Sequence, residues 1–319
     1  VIMTGCALDR QNDYDVEYAL EFQPAMYMHV ATDGADRFPA DRTFGICAWS
    51  LPERDAWEDD NSKADVYLPV KEAVPMSDGK VWAFDEPVLW PAKNRHLTFL
   101  AYSPYDAAAE CSVEEGVCFG NVDVLEDQTD LLYTEPLADM DKTDCGGVVT
   151  VPFRHALCSM NFRVKNRVAD DEKIIIKKII LDAARHCGDF RSMPDPRWIL
   201  DARTARFVFF EGDYQTGHQP SEIGDNILMI PQALETPVTV VYEFVTHAGT
   251  SITQELKTFI VYMATILQLH RGRLMYQGQL IELDVVWHKA KHIVYGHIEL
   301  LIGSKITAQR TQQKVKHDL

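Results

Sequence analysis

Apolar and polar residues alternate along almost the whole chain, and this period of two constrains its fold more than any other feature. Val16, Tyr18, Leu20 and Phe22 are interleaved with Glu17, Ala19 and Glu21, the pattern of a strand with one face in a core and the other in water. The pattern recurs at Phe44, Ile46 and Ala48, at Leu97, Phe99 and Ala101, and at Val149, Val151 and Phe153. It returns at Met160, Phe162 and Val164, at Val238, Val240, Tyr242 and Phe244, and at Ile298, Leu300 and Ile302. Ile174 and Ile176 keep the same alternation, and Ile179 and Leu181 resume it in a shifted phase.

Turn-forming clusters punctuate these runs, among them Thr32-Asp33-Gly34, Ser77-Asp78-Gly79 and Met193-Pro194-Asp195-Pro196. Many short strands separated in this way predict antiparallel sandwiches rather than alternating strand and helix units. The one segment with a long helical pattern, Glu255 to Leu269, suits a strand equally well through Ile260, Val261 and Ile266. No run of 18 apolar residues occurs, so nothing in the sequence reads as a spanning helix.

A chain of 319 residues exceeds what one core usually fills. Its charge divides unevenly: Val1 to Gly147 holds 10 Lys and Arg against 30 Asp and Glu, and the remainder 21 against 18, which together give −17. The change of sign coincides with the acidic, Gly-ending run Asp139 to Gly147, where a domain boundary is expected. The predicted division is 1–6, 7–147 and 148–319. A surface this acidic repels nucleic acid.

The first segment, V-I-M-T-G before Cys6, has the order used in bacterial lipoprotein processing. There the cysteine thiol is acylated and everything before it is removed. On this reading Cys6 is the lipidation site and the lipid is the only membrane attachment; the alternative is a free cysteine in a frayed terminus. Six cysteines remain, Cys47, Cys111, Cys118, Cys145, Cys158 and Cys187. In an exported chain they could pair, Cys111 with Cys118 being the couple a hairpin would close, or they could be reduced core residues.

Motifs for catalysis and cofactor binding are missing: no G-x-S-x-G, G-x-G-x-x-G, G-x-x-x-x-G-K, H-E-x-x-H or C-x-x-C is present. Asp139, Asp141 and Asp144 resemble part of a calcium loop but lack its spacing and terminal Glu, and read as a solvated linker. His288 and His292 would lie about 13 Å apart on one side of a strand, too far for one metal. No catalytic residue, metal or cofactor is therefore expected.

Several short words are recognisable in their order. They are Phe44-Gly45-Ile46-Cys47-Ala48-Trp49, Trp90-Pro91, Leu97-Thr98-Phe99-Leu100-Ala101-Tyr102-Ser103-Pro104 and Asp127-Gln128-Thr129-Asp130-Leu131-Leu132. Val151-Pro152-Phe153-Arg154-His155-Ala156-Leu157-Cys158, Ile230-Pro231-Gln232 and the approach from Trp287 to Tyr295 follow. Together they resemble the fimbrillins of the Bacteroidetes. The resemblance implies an all-β chain of two transthyretin-like antiparallel sandwich domains in tandem, a surface lipoprotein of the outer membrane that builds or decorates a type V pilus.

It further implies that an arginine-specific protease removes the first strand, Val16, Tyr18, Leu20 and Phe22, and that a strand from another subunit fills the groove. Arg37 is the first candidate for the cut and Arg42 the second. The partners implied are other fimbrial subunits, the protease and a host or bacterial surface ligand. The irregular Leu267 to Val286 departs from the family pattern, as does the tail Thr307 to Leu319, which lacks alternating apolar residues for donation to a groove. A tip or accessory role therefore stands beside a shaft role. The competing reading is a surface glycan-binding lipoprotein that stacks sugars on exposed Trp49, Trp57, Trp82 and Trp90.

Overall fold

The computed structural model describes residues 18–26, 38–91, 94–167, 170–234 and 236–259, and the backbone of strands 271–276, 279–290 and 293–303. In chain order the strands are β1 (Glu21–Met26), β2 (Phe44–Pro52), β3 (Asp65–Pro75), β4 (Trp82–Ala83), β5 (Arg95–Ser103), β6 (Glu110–Ser112) and β7 (Gly116–Asp123). Then come β8 (Leu132–Tyr133), β9 (Leu137–Met140), β10 (Val148–His155), β11 (Cys158–Arg167), β12 (Lys173–Arg185), β13 (Cys187–Arg191) and β14 (Arg197–Leu200). The last are β15 (Thr204–Gln215), β16 (Ser221–Met229), β17 (Pro237–Val245), β18 (Ser251–Phe259), β19 (Arg271–Tyr276), β20 (Gln279–Ala290) and β21 (Ile293–Gly303). Apart from two single 3-10 turns, at Asn61–Lys63 and Tyr105–Ala107, the described elements are all strands. No helix among the described residues is long and apolar enough to cross a membrane.

The chain forms two units. The first takes Val1–Cys158, Arg185–Arg203 and Ala290–Ile293; the second takes Ser159–Ala184, Thr204–Lys289 and Val294–Leu319. The first unit thus runs past the expected boundary at Gly147 and takes back a later excursion, because β10 is bonded to β1 and β8 and because β13 pairs with β7. A change in charge density does not register such pairings.

In the first unit the recognisable words are the pairing partners. The word on β2 lies antiparallel to the word on β5, with Ile46 opposite Ala101 and Ala48 opposite Phe99. The word ending on β8 meets the word on β10, with His155 opposite Leu132. Side chains join the same two words: His155 Nδ1 lies 2.8 Å from Asp130 Oδ1. The buried Arg154 donates to Glu135 at 3.0 Å.

These pairings close a circuit in the order β2-β3-β4-β1-β10-β8-β5, with β5 returning to β2. Strand β9 shares the edge of β5 used by β8, opposite Leu97 and Phe99. A closed circuit leaves few unpaired edges. A second sheet, β14-β13-β7-β6, belongs to the same unit, and Phe190 of β13 packs on Tyr133 of β8 with ring centroids 4.7 Å apart.

The second unit has sheets β16-β11-β21-β20-β19 and β15-β12-β17-β18. Phe162 of β11 meets Phe209 of β15 edge-on at 4.8 Å, and Ile174, Ile179 and Val240 of the same unit are fully buried. The phase shift read in β12 is a bulge between Ile176 and Lys178. It leaves Lys177 to bond Asp213 at 2.5 Å and Glu243 at 2.9 Å, while the isoleucines on either side stay inside. The ambiguous segment from Glu255 begins as strand β18, paired along β17.

Among the described ladders whose register is known, the expectation of antiparallel pairing fails at two. Strand β1 is parallel to β10, and β11 is parallel to β21. Alternation fixes which side chains face inward and carries no sign of strand direction, so these remote pairs were not legible in it.

Gly224 in β16 has φ +75°, and a Cβ there would lie 1.9 Å from the Phe209 carbonyl oxygen. Gly224→Ala is expected to destabilise the protein by at least about 1–3 kcal/mol from backbone strain alone. Chemical denaturation would measure it, and an unchanged midpoint would contradict this account of the glycine.

Candidate strand-exchange site

The segment from Tyr18 to Met26 enters the circuit in two stages. Leu20 N donates to Val88 O at 2.7 Å, and Trp90 N donates to Tyr18 O at 2.9 Å, around a bridge between Ala19 and Leu89. From Glu21 the chain is β1, parallel to β10 from Glu21 opposite Val148 to Met26 opposite Phe153. On its other side Phe22 pairs with Trp82 of β4. The segment is therefore an interior strand of the circuit.

Leu20, Phe22 and Met26 face inward. Leu20 is 1% exposed and Phe22 0%, and Met26 packs against the same cluster. The Phe22 ring meets Phe84 at 5.4 Å, Phe99 at 5.8 Å and Phe44 at 6.1 Å, all edge-on. Burial of such a ring contributes about 1.5–3 kcal/mol, and favourable edge-on geometry adds to it.

Of the four residues expected on the released strand, Leu20 and Phe22 line this core. Tyr18 is 39% exposed, with the Lys142 ammonium 5.0 Å from its ring centroid, so it caps the segment from outside. Val16 lies outside the described residues. The strand also extends further than expected, to Met26, through Pro24. Proline reads as a break in sequence, but the described pairing with β4 ends at Phe22, and beyond it a missing amide donor is tolerated.

The expected lipidation site, Cys6, and the first candidate for the cut, Arg37, lie outside the described residues. Arg42 closes a turn in which its amide donates to Pro39 O at 3.1 Å. Its carbonyl accepts from Trp82 Nε1 at 2.9 Å, and two residues later Phe44 is fully buried on β2. Phe38 is buried as well, stacked on Phe153 at 4.9 Å and edge-on to Trp82 at 5.7 Å. A cut before Phe38 leaves this aromatic plug on the body, whereas a cut after Arg42 would remove it and break the bond to Trp82.

Other candidates resolve into structural roles. Trp49, Trp57, Trp82 and Trp90 are 7%, 4%, 3% and 8% exposed, so none offers a sugar platform. Both Asp139 carboxylate oxygens accept the Trp57 amide at 3.1 Å. Asp141 accepts the Thr143 amide and hydroxyl, so these acids brace turns. Cys111 sits opposite Val117 and Cys118 opposite Glu110, so the hairpin holds the two cysteines diagonally. None of the six described cysteines is in a disulfide, and the Cys47 thiol donates to Leu100 O at 3.5 Å. His288 and His297 fall on β20 and β21, and His292 lies outside the described residues.

No curated protein matches the chain. Among solved structures it is similar to a Bacteroides uniformis protein assigned to cell adhesion, at 15% identity over 89% of this chain and 98% of that one, with TM-score 0.45. A Bacteroides ovatus protein assigned to cell adhesion matches at 16% identity over 75% and 86%, with TM-score 0.43. The fimbrial anchor protein Mfa2 of Porphyromonas gingivalis matches at 9% identity over 77% and 83%, with TM-score 0.33. The family model described as fimbrillin-like matches residues 31–273, well over half of the 319. On that match the chain belongs to the fimbrillin-like family.

Proposed function

We propose that this chain is a fimbrial subunit or fimbrillin-like adhesin of the outer cell surface, exported as a lipoprotein acylated at Cys6. Cleavage after Arg37 releases β1, and a strand from another subunit takes its place. The observation that carries the proposal is the seat of β1, paired on both sides with Phe22 wholly buried.

Removing β1 would strip β10 of its partner from Val148 to Phe153 and leave a pocket lined by Phe44, Phe84 and Phe99. Unpaired ladder groups and an open apolar pocket are costly together, and one incoming strand satisfies both. The contact joins unlike surfaces, so it need not close and can grow a fibre. A tip or accessory subunit needs only this accepting groove, and a shaft subunit also needs a strand to donate. No residue is assigned a catalytic role, and the burial of the four tryptophans leaves the glycan-platform reading without a surface.

A chain expressed from Phe38 onward is expected to bind a synthetic peptide of the sequence Tyr18 to Met26, and the same peptide with Phe22→Ala only weakly. Calorimetric titration would read both, and equal or absent binding would sink the proposal. Lipidation is tested separately by labelling with a radioactive fatty acid: label is expected on the full precursor and lost in Cys6→Ala, and label that survives the substitution removes Cys6 from the account.

A further inference from the structure

Asp123 ends β7, and Cys187 begins β13 directly opposite it. Backbone bonds hold the surrounding turns: Val124 N donates to His186 O at 3.0 Å, and Asp201 N donates to Cys187 O at 3.2 Å. Asp123 Oδ1 accepts the Leu125 amide at 3.0 Å, which fixes the carboxylate. Three side chains from two segments remote in sequence are thereby brought together within the first unit.

Their donor atoms are an oxygen, a nitrogen and a sulfur. His186 Nδ1 lies 2.9 Å from Asp123 Oδ1, Cys187 Sγ lies 3.0 Å from Asp123 Oδ2, and Cys187 Sγ lies 2.9 Å from His186 Nδ1. Cys187 is fully buried, and the His186 and Asp123 side chains are 12% and 16% exposed. Burial, then the hydrogen bond to Asp123, pushes the Cys187 thiol up to about 12, so it donates as a neutral group. Burial opposes the Asp123 charge, but bonds from Cys187, His186 and the Leu125 amide outweigh it and hold the carboxyl well below its usual range.

We propose that Asp123, His186 and Cys187 form a binding site for a borderline transition-metal ion of the zinc class. A tetrahedral ion with bonds of about 2.0 Å to nitrogen and oxygen and 2.3 Å to sulfur spaces its donors about 3.3–3.6 Å apart. Each of the three contacts, one to Oδ1 and one to Oδ2 of Asp123, is about half an ångström shorter than in that geometry, so the groups must spread and the carboxylate must turn to present one oxygen. On binding, the Cys187 thiol proton leaves to solvent and the thiolate ligates. His186, which donates from Nδ1 in the hydrogen-bonded cluster, shifts that proton to Nε2 and binds through Nδ1 as the neutral imidazole, and Asp123 is already ionised. Two anionic ligands neutralise a divalent ion, which suits a buried position.

The donor set selects the class of ion, since a thiolate and an imidazole favour zinc-like metals over calcium or magnesium. Asp123 also lines an open cleft of about 370 Å³ with Asp106, Glu126 and Asp127, an acidic surface that concentrates cations beside it. Solvent takes the fourth position. Arg203, 3.9 Å from Asp123 and bonded to Asp201 at 2.6 Å, is the competing cation that the metal must outbid.

The purified full chain, kept reduced with a phosphine, should bind Co²⁺ with a thiolate-to-cobalt band in the near ultraviolet and intense visible bands of a tetrahedral site. One equivalent of Zn²⁺ should abolish both. Cys187→Ser should lose the thiolate band, Asp123→Asn should keep it with affinity weaker by at least about tenfold, and Cys145→Ser should match the parent. Circular dichroism of each variant checks that it folds. No cobalt spectrum in the parent overturns the proposal, as does a thiolate band that persists in Cys187→Ser or an undiminished affinity in Asp123→Asn.

Discussion

Phe22→Ala will lower the stability of the first unit by about 3–5 kcal/mol, the range for removing a fully buried aromatic ring whose cavity cannot collapse. Collapse is unfavourable here because the ring is surrounded by Phe44, Phe84 and Phe99, each anchored on or beside a different strand of the circuit. The loss falls on the one strand proposed to leave, so Phe22→Ala should also raise hydrogen exchange along β1 and along its partner positions on β10. Tyr18→Ala, which removes an exposed ring, should cost less than about 1 kcal/mol. Urea denaturation followed by tryptophan fluorescence distinguishes the two. Equal effects at the two positions would mean that Phe22 is not the anchor of β1.

Arg37→Gln will abolish processing of the folded precursor, whereas Arg42→Gln will leave it at the parental rate. The asymmetry follows from what holds each peptide bond. The Arg42 carbonyl is engaged by Trp82 Nε1, and the residues that follow enter β2 at the fully buried Phe44. A protease must seat several residues on both sides of the scissile bond in extended form, and around Arg42 that requires opening the core. Cleavage before Phe38 leaves the stack of Phe38 on Phe153 with the body. Intact mass after brief exposure to an arginine-specific protease reads the outcome, and a cut that moves wholesale to Arg42 in Arg37→Gln would show that the Trp82 bond gives no protection.

Much of the fold was legible because alternation is a direct imprint of a half-buried strand. Leu20 and Phe22 are buried where their spacing predicts, whereas β2 and β5 are buried on both faces, with Cys47, Trp49, Leu100 and Tyr102 inside as well as Ile46, Ala48, Phe99 and Ala101. The shifted phase at Ile179 and Leu181 has its cause in the bulge at Lys177. Strand direction was not legible, and the parallel pairing of Glu21 to Met26 with Val148 to Phe153 joins segments more than a hundred residues apart. Tyr18 fits the alternation yet lies outside the core, because the segment has reached the rim of the circuit and a period-2 pattern has no marker for where burial stops. The convergence of Asp123, His186 and Cys187 left no motif, since its ligands are brought together by the β7–β13 ladder and not by spacing.

Strand exchange requires that removal of one strand change the molecule from a monomer into an assembly. The most direct measurement is limited digestion of the purified precursor with an arginine-specific protease, followed by mass spectrometry and light scattering of the same sample. The predicted result is a single cut after Arg37, dissociation of the fragment that carries Tyr18 to Met26, and growth of oligomers that excess Tyr18 to Met26 peptide suppresses. A precursor that resists cleavage while folded, or that is cut and loses the strand yet stays monomeric in the presence of a donor subunit, would contradict it.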